Sequence, residues 1–176
     1  MNLVGIVMGS DSDFQVMEEA LKVLKEFDIS CEVKVSSAHR TLERTLNWVQ
    51  EFEKQGGKVI IAGAGMAAHL PGVVAGATTL PVIGVPINSG ALAGVDALYA
   101  IVQMPPGIPV ATVGINGAKN AGLLAVQLLS LADEKLQAAL KAYRQNMAEG
   151  VEKKDKALQE KLHQIKKISY SQQTKL

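Results

Sequence analysis

The chain has 176 residues, of which 48% are hydrophobic and 20% are charged, which suits one domain with a sizeable core. A formal net charge of +1 excludes a strong basic field, so we expect neither nucleic acid nor a membrane surface as a partner. The only cysteine, Cys31, excludes an internal disulfide, and the N-terminal residues lack the pattern of a secretory signal. We therefore expect a cytoplasmic protein.

Strands and helices alternate along the chain. Apolar runs predict strands at Leu3–Met8, Cys31–Val35, 58–62, 80–85 and 109–113. Apolar residues at helical spacing predict helices after Asp13, from Leu42 to Phe52, at 73–75, from Val95 to Val102 and from Ala118 onward. Strands that are apolar throughout and separated by helices indicate a parallel sheet covered on both faces. We predict a three-layer α/β/α sandwich resembling flavodoxin.

The last quarter of the chain has a different composition. Residues 133–176 hold ten Lys or Arg and six Asp or Glu, a net charge of +4, whereas residues 1–132 hold eight and eleven, a net charge of −3. We predict an α/β domain carrying the catalytic site over residues 1–132 and a helical extension over 133–176. An apolar stripe from Leu136 to Met147 indicates that the extension packs on the core or on a neighbouring subunit.

Charge is nearly absent from the middle of the chain. Between Val59 and Ala118 only Asp96 carries a formal charge, although about twelve charged residues are expected in sixty at the average frequency. A monomer of this size cannot easily bury so long a stretch together with its loops. We therefore predict a homo-oligomer, whose interfaces cover the uncharged surface.

The first candidate site is the loop Gly9–Asp13, which follows the first strand and opens a helix. The hydroxyls of Ser10 and Ser12, the backbone N–H groups and the helix dipole suit a phosphate, and the Asp13 carboxylate suits ribose hydroxyls. Plain helix capping by Asp13 or Ser12 explains the same residues equally well. The loop has neither the glycine spacing of a dinucleotide fingerprint nor the lysine of a P-loop, which disfavours ATP and NAD.

The second candidate site is Ser36–Arg40, which follows the second strand. The Arg40 guanidinium is always charged and matches a phosphate, while His39 can exchange a proton near neutral pH. The alternative is a surface histidine beside an arginine that pairs with a carboxylate.

The third candidate site is the uncharged segment Gly63–Gly72 after the third strand. Its glycines allow a ligand to approach the backbone closely. Taken alone, His69 is better explained as a helix-end or interface residue. The three histidines lack metal-ligand spacing, so we expect no metal site.

The motifs Gly9–Asp13, Ser37–Thr41 and Ala67–Gly72 together resemble those of the N5-carboxyaminoimidazole ribonucleotide mutase family. The resemblance spans residues 3 to about 130 and continues at Gly84–Pro86, Ile101–Pro105 and Asn120–Ala121. It implies an isomerase of purine biosynthesis that converts N5-carboxyaminoimidazole ribonucleotide to 4-carboxy-5-aminoimidazole ribonucleotide. It also implies a homo-octamer that needs no ATP, metal, biotin or other cofactor.

Carried over by position, the resemblance implies that His39 is the general acid/base, that Arg40 and the Ser12 loop face the phosphate and that Asp13 faces the ribose. The other substrate-binding residues that it implies are Ser10, Ser37, Ala38, Gly63, Gly65, Ala68, His69 and Leu70. The implied route is decarboxylation to enclosed CO2 and aminoimidazole ribonucleotide, followed by recarboxylation at C4. One imidazole that gives and then takes a proton serves both steps.

Two positions depart from the family pattern. Met66 stands where the family usually has glycine, and the loop Gly114–Lys119 is shorter than the glycine-rich loop of many members. One alternative function is that of a related branch, which carboxylates aminoimidazole ribonucleotide directly with CO2, although the segment from Ala68 to Pro71 resembles the mutase branch more. A non-catalytic nucleotide-binding or receiver-type module is the alternative from another class.

Overall fold

The computed structural model describes the backbone of residues 3–173 and the side chains of residues 3–165. Five parallel strands form one sheet in the order β2-β1-β3-β4-β5. They are β1 (Leu3–Met8), β2 (Ser30–Val35), β3 (Gly57–Gly65), β4 (Val82–Ile87) and β5 (Ala111–Thr112). This is the strand order of the flavodoxin-like fold, so the predicted fold class is confirmed.

Within residues 3–173, five α-helices connect and flank these strands, and a sixth follows them along the chain. They are α1 (Phe14–Glu26), α2 (Leu42–Lys54), α3 (Leu70–Gly76), α4 (Val95–Val102), α5 (Ala118–Ser130) and α6 (Glu134–Gln173). Helices α1 and α5 pack on each other and on one face of the sheet, while α2, α3 and α4 cover the other face. The predicted three-layer sandwich is therefore present.

Three strands differ from the prediction by two residues or more at one end or both. They are β3, β5 and also β4, which was predicted at 80–85 and spans Val82–Ile87. The prediction ended β3 at Ala62, but the strand continues to Gly65 because Gly63 and Gly65 pair with Val85 and Ile87 of β4. Strand β5 is limited to two residues, which pair with the middle of β4. Glycines have low intrinsic preference for strands, so pairing with a neighbour rather than local composition extends β3.

Two aromatic rings of α2 leave no room for a side chain at Gly5 on β1. A Cβ atom built on Gly5 would lie 2.9 Å from Cη2 of Trp48 and 3.1 Å from Cζ of Phe52. Both rings are buried, and they stack with centroids 5.4 Å apart. The Trp48 indole N–H donates a 2.7 Å hydrogen bond to Glu32, so this ring cannot move aside without breaking that bond.

We expect Gly5→Ala to lower the free energy of unfolding by about 1–3 kcal/mol, because the added methyl group overpacks this core. Urea denaturation followed by tryptophan fluorescence measures the change. Gly76→Ala is the matched control, since no other group lies within 4 Å of a Cβ atom built there. Equal midpoints for the two variants would contradict the prediction.

The order of the strands locates the crevice of the sheet. The chain moves from β1 outward to β2 and then returns past β1 to β3, so the direction of winding reverses between β1 and β3. In open parallel sheets, ligands bind outside the carboxyl ends of the strands at such a switch point. Both the Gly9–Asp13 loop after β1 and the segment after Gly65 of β3 begin at this edge.

The C-terminal helix α6 spans 40 residues. The chain divides into two compact units between Leu136 and Gln137, and α6 begins three residues before that division. The predicted domain boundary was at residue 132, and the predicted packing of the extension stays a prediction. No helix among the described residues is long and apolar enough to cross a membrane.

Candidate active site

A cavity of about 250 Å³ opens at the carboxyl edge of the sheet, beside the switch point. Four segments line it, following β1, β2, β3 and β4 respectively. The lining residues are Gly9, Ser10, Ser12, Asp13, Ser37, Ala38, His39, Arg40, Ala64, Gly65, Met66, Ala67, Leu70 and Ser89. Residues of all three candidate segments that were predicted from the sequence therefore line the same cavity.

Most of the predicted site residues line this cavity, and three do not. Gly63 lies within β3 and faces α1, where a Cβ atom would meet the side chain of Met17. Ala68 is buried in the hydrophobic core. His69 is outside the lining set and instead contacts His39. The roles predicted for all of these residues stay predictions.

Five lining residues were absent from the predicted site: Gly9, Ala64, Met66, Ala67 and Ser89. A signal for Ser89 was present, because it belongs to the polar loop after β4 and β4 adjoins β3. Polar residues at the carboxyl ends of neighbouring parallel strands meet at one edge. For Met66, the sequence signal is its departure from the family pattern.

The loop after β1 is shaped by a capping box. The Ser10 side chain accepts a 3.3 Å hydrogen bond from the Ser12 N–H, and Asp13 Oδ2 accepts a 3.1 Å bond from the Ser10 N–H. The capping alternative named Asp13 or Ser12. The capping side chain is instead that of Ser10, and Asp13 completes the box through the Ser10 N–H. Both Ser10 and Asp13 also border the cavity. Capping holds the hydroxyl groups and the carboxylate in place without removing them from the cavity.

Burial raises the pKa of the Asp13 carboxyl, the Ser10 N–H partly opposes this shift, and the neighbouring Asp11 adds to it. A raised pKa means that the folded state binds this proton more tightly than the unfolded state. Asp13 therefore costs stability as pH rises from its unfolded pKa through its folded pKa, and the cost persists at higher pH.

We expect Asp13→Asn to raise Tm at neutral pH by about 1–2 °C, because asparagine can accept the Ser10 N–H bond without a desolvated charge. Near pH 3, where the aspartate is protonated in both states, we expect the difference to vanish. Thermal unfolding at the two pH values measures the effect. A lower Tm for the variant at neutral pH would show that the charge itself stabilises the loop.

A buried hydroxyl network holds the turn that carries His39. Ser36 Oγ lies 2.8 Å from Thr45 Oγ1 and 3.3 Å from Thr41 Oγ1. The Ser37 N–H donates to Thr41 Oγ1 at 2.9 Å, and the Ser36 N–H donates to the Met8 carbonyl at 2.8 Å. The turn is thus tied both to α2 and to the end of β1. Such support positions a catalytic side chain more precisely than a free loop does.

His39 and His69 form a hydrogen-bonded pair. His39 Nε2 lies 2.8 Å from His69 Nδ1, and the rings meet edge to face with centroids 4.9 Å apart. Since one nitrogen donates and the other accepts, the tautomer of His69 is tied to that of His39. His69 reaches this place because it lies just before α3, whose first residue, Leu70, also lines the cavity.

Arg40 leaves part of its guanidinium available. Its Nε donates to Ser37 Oγ at 3.4 Å, and Nη2 donates to the Gly9 carbonyl at 3.2 Å. Within residues 3–165 no ion pair with a carboxylate is found for Arg40. These contacts hold the Arg40 guanidinium between the loops after β1 and β2. Its remaining N–H groups are free to donate to an anion.

The strand order and this cavity define a flavodoxin-like α/β protein with a cavity at the carboxyl edge of its sheet. Residues 3–150 match the family model described as AIR carboxylase. The chain belongs to the AIR carboxylase family.

Relatives with named activities are similar over most of the chain. The N5-carboxyaminoimidazole ribonucleotide mutase of Pyrococcus abyssi is 60% identical over 147 residues, which is 84% of each chain. The protein of the same name from Mycobacterium tuberculosis is 56% identical, covering 89% of this chain and 90% of its own length. The crystal structure of Treponema denticola PurE matches with a TM-score of 0.83 and 34% identity, covering 90% of this chain and 99% of that one.

Proposed function

We propose that this protein is an N5-carboxyaminoimidazole ribonucleotide mutase of purine biosynthesis. The observation that carries the proposal is the cavity that His39 lines together with Arg40 and the uncharged segment from Gly65 to Ala67. Such a cavity offers an anion site, a proton carrier and an apolar region next to each other. The 60% identity to the Pyrococcus abyssi mutase supports the same conclusion.

In this proposal the substrate spans the loops after β1 and β2. Arg40 and the hydroxyl groups of Ser10, Ser12 and Ser37 bind the phosphate, and the Asp13 carboxylate binds ribose hydroxyls. All five residues line the cavity. Charge-assisted hydrogen bonds of this kind fix the orientation of the imidazole with respect to His39.

The reaction then needs two proton transfers at one histidine. The bond between N5 and its carboxylate breaks, the electron pair stays on nitrogen, and protonated His39 supplies the proton that completes the amine. C4 attacks the released CO2, forming a carbon–carbon bond, and the proton from C4 returns to His39. The products contain the same atoms as the substrate and the histidine ends as it began, so no cofactor is required.

The apolar part of the cavity has a role in this scheme. Ala64, Ala67 and Leu70 line it, and they offer CO2 no proton and no charge. Exclusion of water keeps CO2 close to C4 and prevents it from being lost as bicarbonate. The hydrogen bond to His69 orients the His39 ring between the two steps.

Separate assays with the two related substrates test the proposal. We expect turnover of N5-carboxyaminoimidazole ribonucleotide without ATP, and slow turnover of aminoimidazole ribonucleotide with bicarbonate. Fast use of the second substrate pair and no use of the first would identify a direct carboxylase instead. No turnover of either, with tight binding of the ribonucleotide, would favour a non-catalytic module.

We also propose that the protein works in the cytoplasm as a homo-octamer. Support comes from exposed apolar side chains on and beside α4 in the uncharged region, namely Leu92, Val95, Tyr99, Val102 and Ile108, which are 36–61% exposed in the single chain. Helix α6 has exposed apolar residues at helical spacing as well, from Met147 to Ile165. Exposed apolar side chains on a helix are typical of subunit contacts. Sedimentation at micromolar concentration should give one large species, and a monomer would contradict the assembly.

A further inference from the structure

Met66 has a backbone conformation that its side chain does not favour. Its φ of 53° lies in the left-handed region, which few residues other than glycine adopt. Asp28, Ala93 and Asn116 also have positive φ. The short polar side chains of Asp28 and Asn116 tolerate it, whereas Ala93, like Met66, has no such group. Methionine gains no such local hydrogen bond. Strain of this kind is concentrated at functional sites.

The Met66 side chain lies at the rim of the cavity. It lines the cavity together with His39 and Ser89, yet it is 59% exposed, so it faces both the interior and the solvent. A Cβ atom built on Gly90 would lie 3.8 Å from Cγ and 4.0 Å from Cε of Met66. The side chain therefore reaches from the segment after β3 to the loop after β4.

We propose that Met66 is an apolar cap that retains CO2 in the site between its release from N5 and its capture by C4. The inference rests on the proposed mutase activity and deepens it. An unbranched thioether is flexible enough to move aside for the substrate and then return to its place beside Gly90. It has no strong donor that would hold water at the rim, so it can close the cavity to solvent.

Retention of an isotope label measures this property directly. The substrate carries the label in its N5 carboxylate, and the reaction contains excess unlabelled bicarbonate and carbonic anhydrase. CO2 that escapes becomes bicarbonate and is diluted, whereas retained CO2 reappears at C4. We expect the native protein to keep most of the label in its product.

Met66→Ala and Met66→Gly should both retain less label than the native protein and release more free aminoimidazole ribonucleotide, because both remove the cap. The glycine variant restores the residue that the family usually has here, so its retention measures what the methionine adds. Alanine keeps the strained backbone whereas glycine relieves it, so loss in both variants assigns the effect to the side chain. Met66→Leu restores a flexible apolar group of similar size and should keep the label.

The outcomes separate the cap from the function on which it depends. A native protein that does not convert the labelled substrate contradicts the mutase proposal itself. Conversion with equal label retention in the native, alanine and glycine proteins overturns the proposal that Met66 retains CO2. A lower Tm for Met66→Gly with unchanged retention would show that Met66 serves stability, and would overturn the cap as well.

Discussion

His39→Asn is expected to lower kcat by at least about 10²-fold, the usual contribution of a general acid/base. Asparagine keeps a polar side chain at the cavity but cannot exchange a proton near neutral pH. Because Arg40 and the loop after β1 remain, substrate should still bind. Steady-state kinetics together with direct binding of the substrate separates the two effects.

The His39 prediction has a matched control in the same chain. His163 lies exposed on α6, so His163→Asn should leave both kcat and binding unchanged. Near-native turnover by His39→Asn would remove His39 from proton transfer. Loss of binding with unchanged kcat would instead make His39 a substrate-binding residue.

The parts of the fold with strong local signals could be predicted from the sequence. Strands β1 and β4 are apolar along their length and buried, and α1 and α2 have clear apolar stripes. The extension of β3 through Gly63 and Gly65 could not be predicted, because it depends on pairing with β4. Gly63, which the resemblance placed among the substrate-binding residues, lies within this extension, where a Cβ atom would meet Met17 of α1.

The candidate site was predictable where its residues follow strand ends. Gly9–Asp13 and Ser37–Arg40 come directly after β1 and β2, so the rule for parallel sheets brings them to one edge. The contact between His39 and His69 joins residues 30 positions apart in different β-α units, and no local pattern encodes it. Taken alone, His69 therefore suggested a helix-end residue.

The positive φ of Met66 was likewise invisible in the sequence. Methionine is common in helices and cores, and the segment Gly63–Gly72 has no turn signature that marks position 66 as left-handed. In the sequence, Met66 stands out only because the family usually has glycine there. The backbone conformation adds that a methionine at this position is strained.

Arg40→Ala is expected to raise the KM and the substrate Kd by about 10- to 100-fold with little change in kcat, because a hydrogen bond to a charged group contributes about 1.5–3 kcal/mol. The proposed phosphate contact is the same in the ground state and the transition state, so its loss weakens binding rather than chemistry. This split is the opposite of that expected for His39. Arg40→Lys keeps the charge but not the planar fork, and should recover only part of the affinity.

Two comparisons show whether the lost contact is the phosphate contact. The nucleoside, which lacks the phosphate, should bind the native protein and Arg40→Ala equally. Arg44 lines a neighbouring cavity of about 320 Å³ that also includes Arg40, but it does not line the cavity with His39. Arg44→Ala should therefore change the Kd far less than Arg40→Ala. Equal losses in the two variants would move the phosphate to the neighbouring cavity, and an unchanged Kd for Arg40→Ala would remove Arg40 from substrate binding.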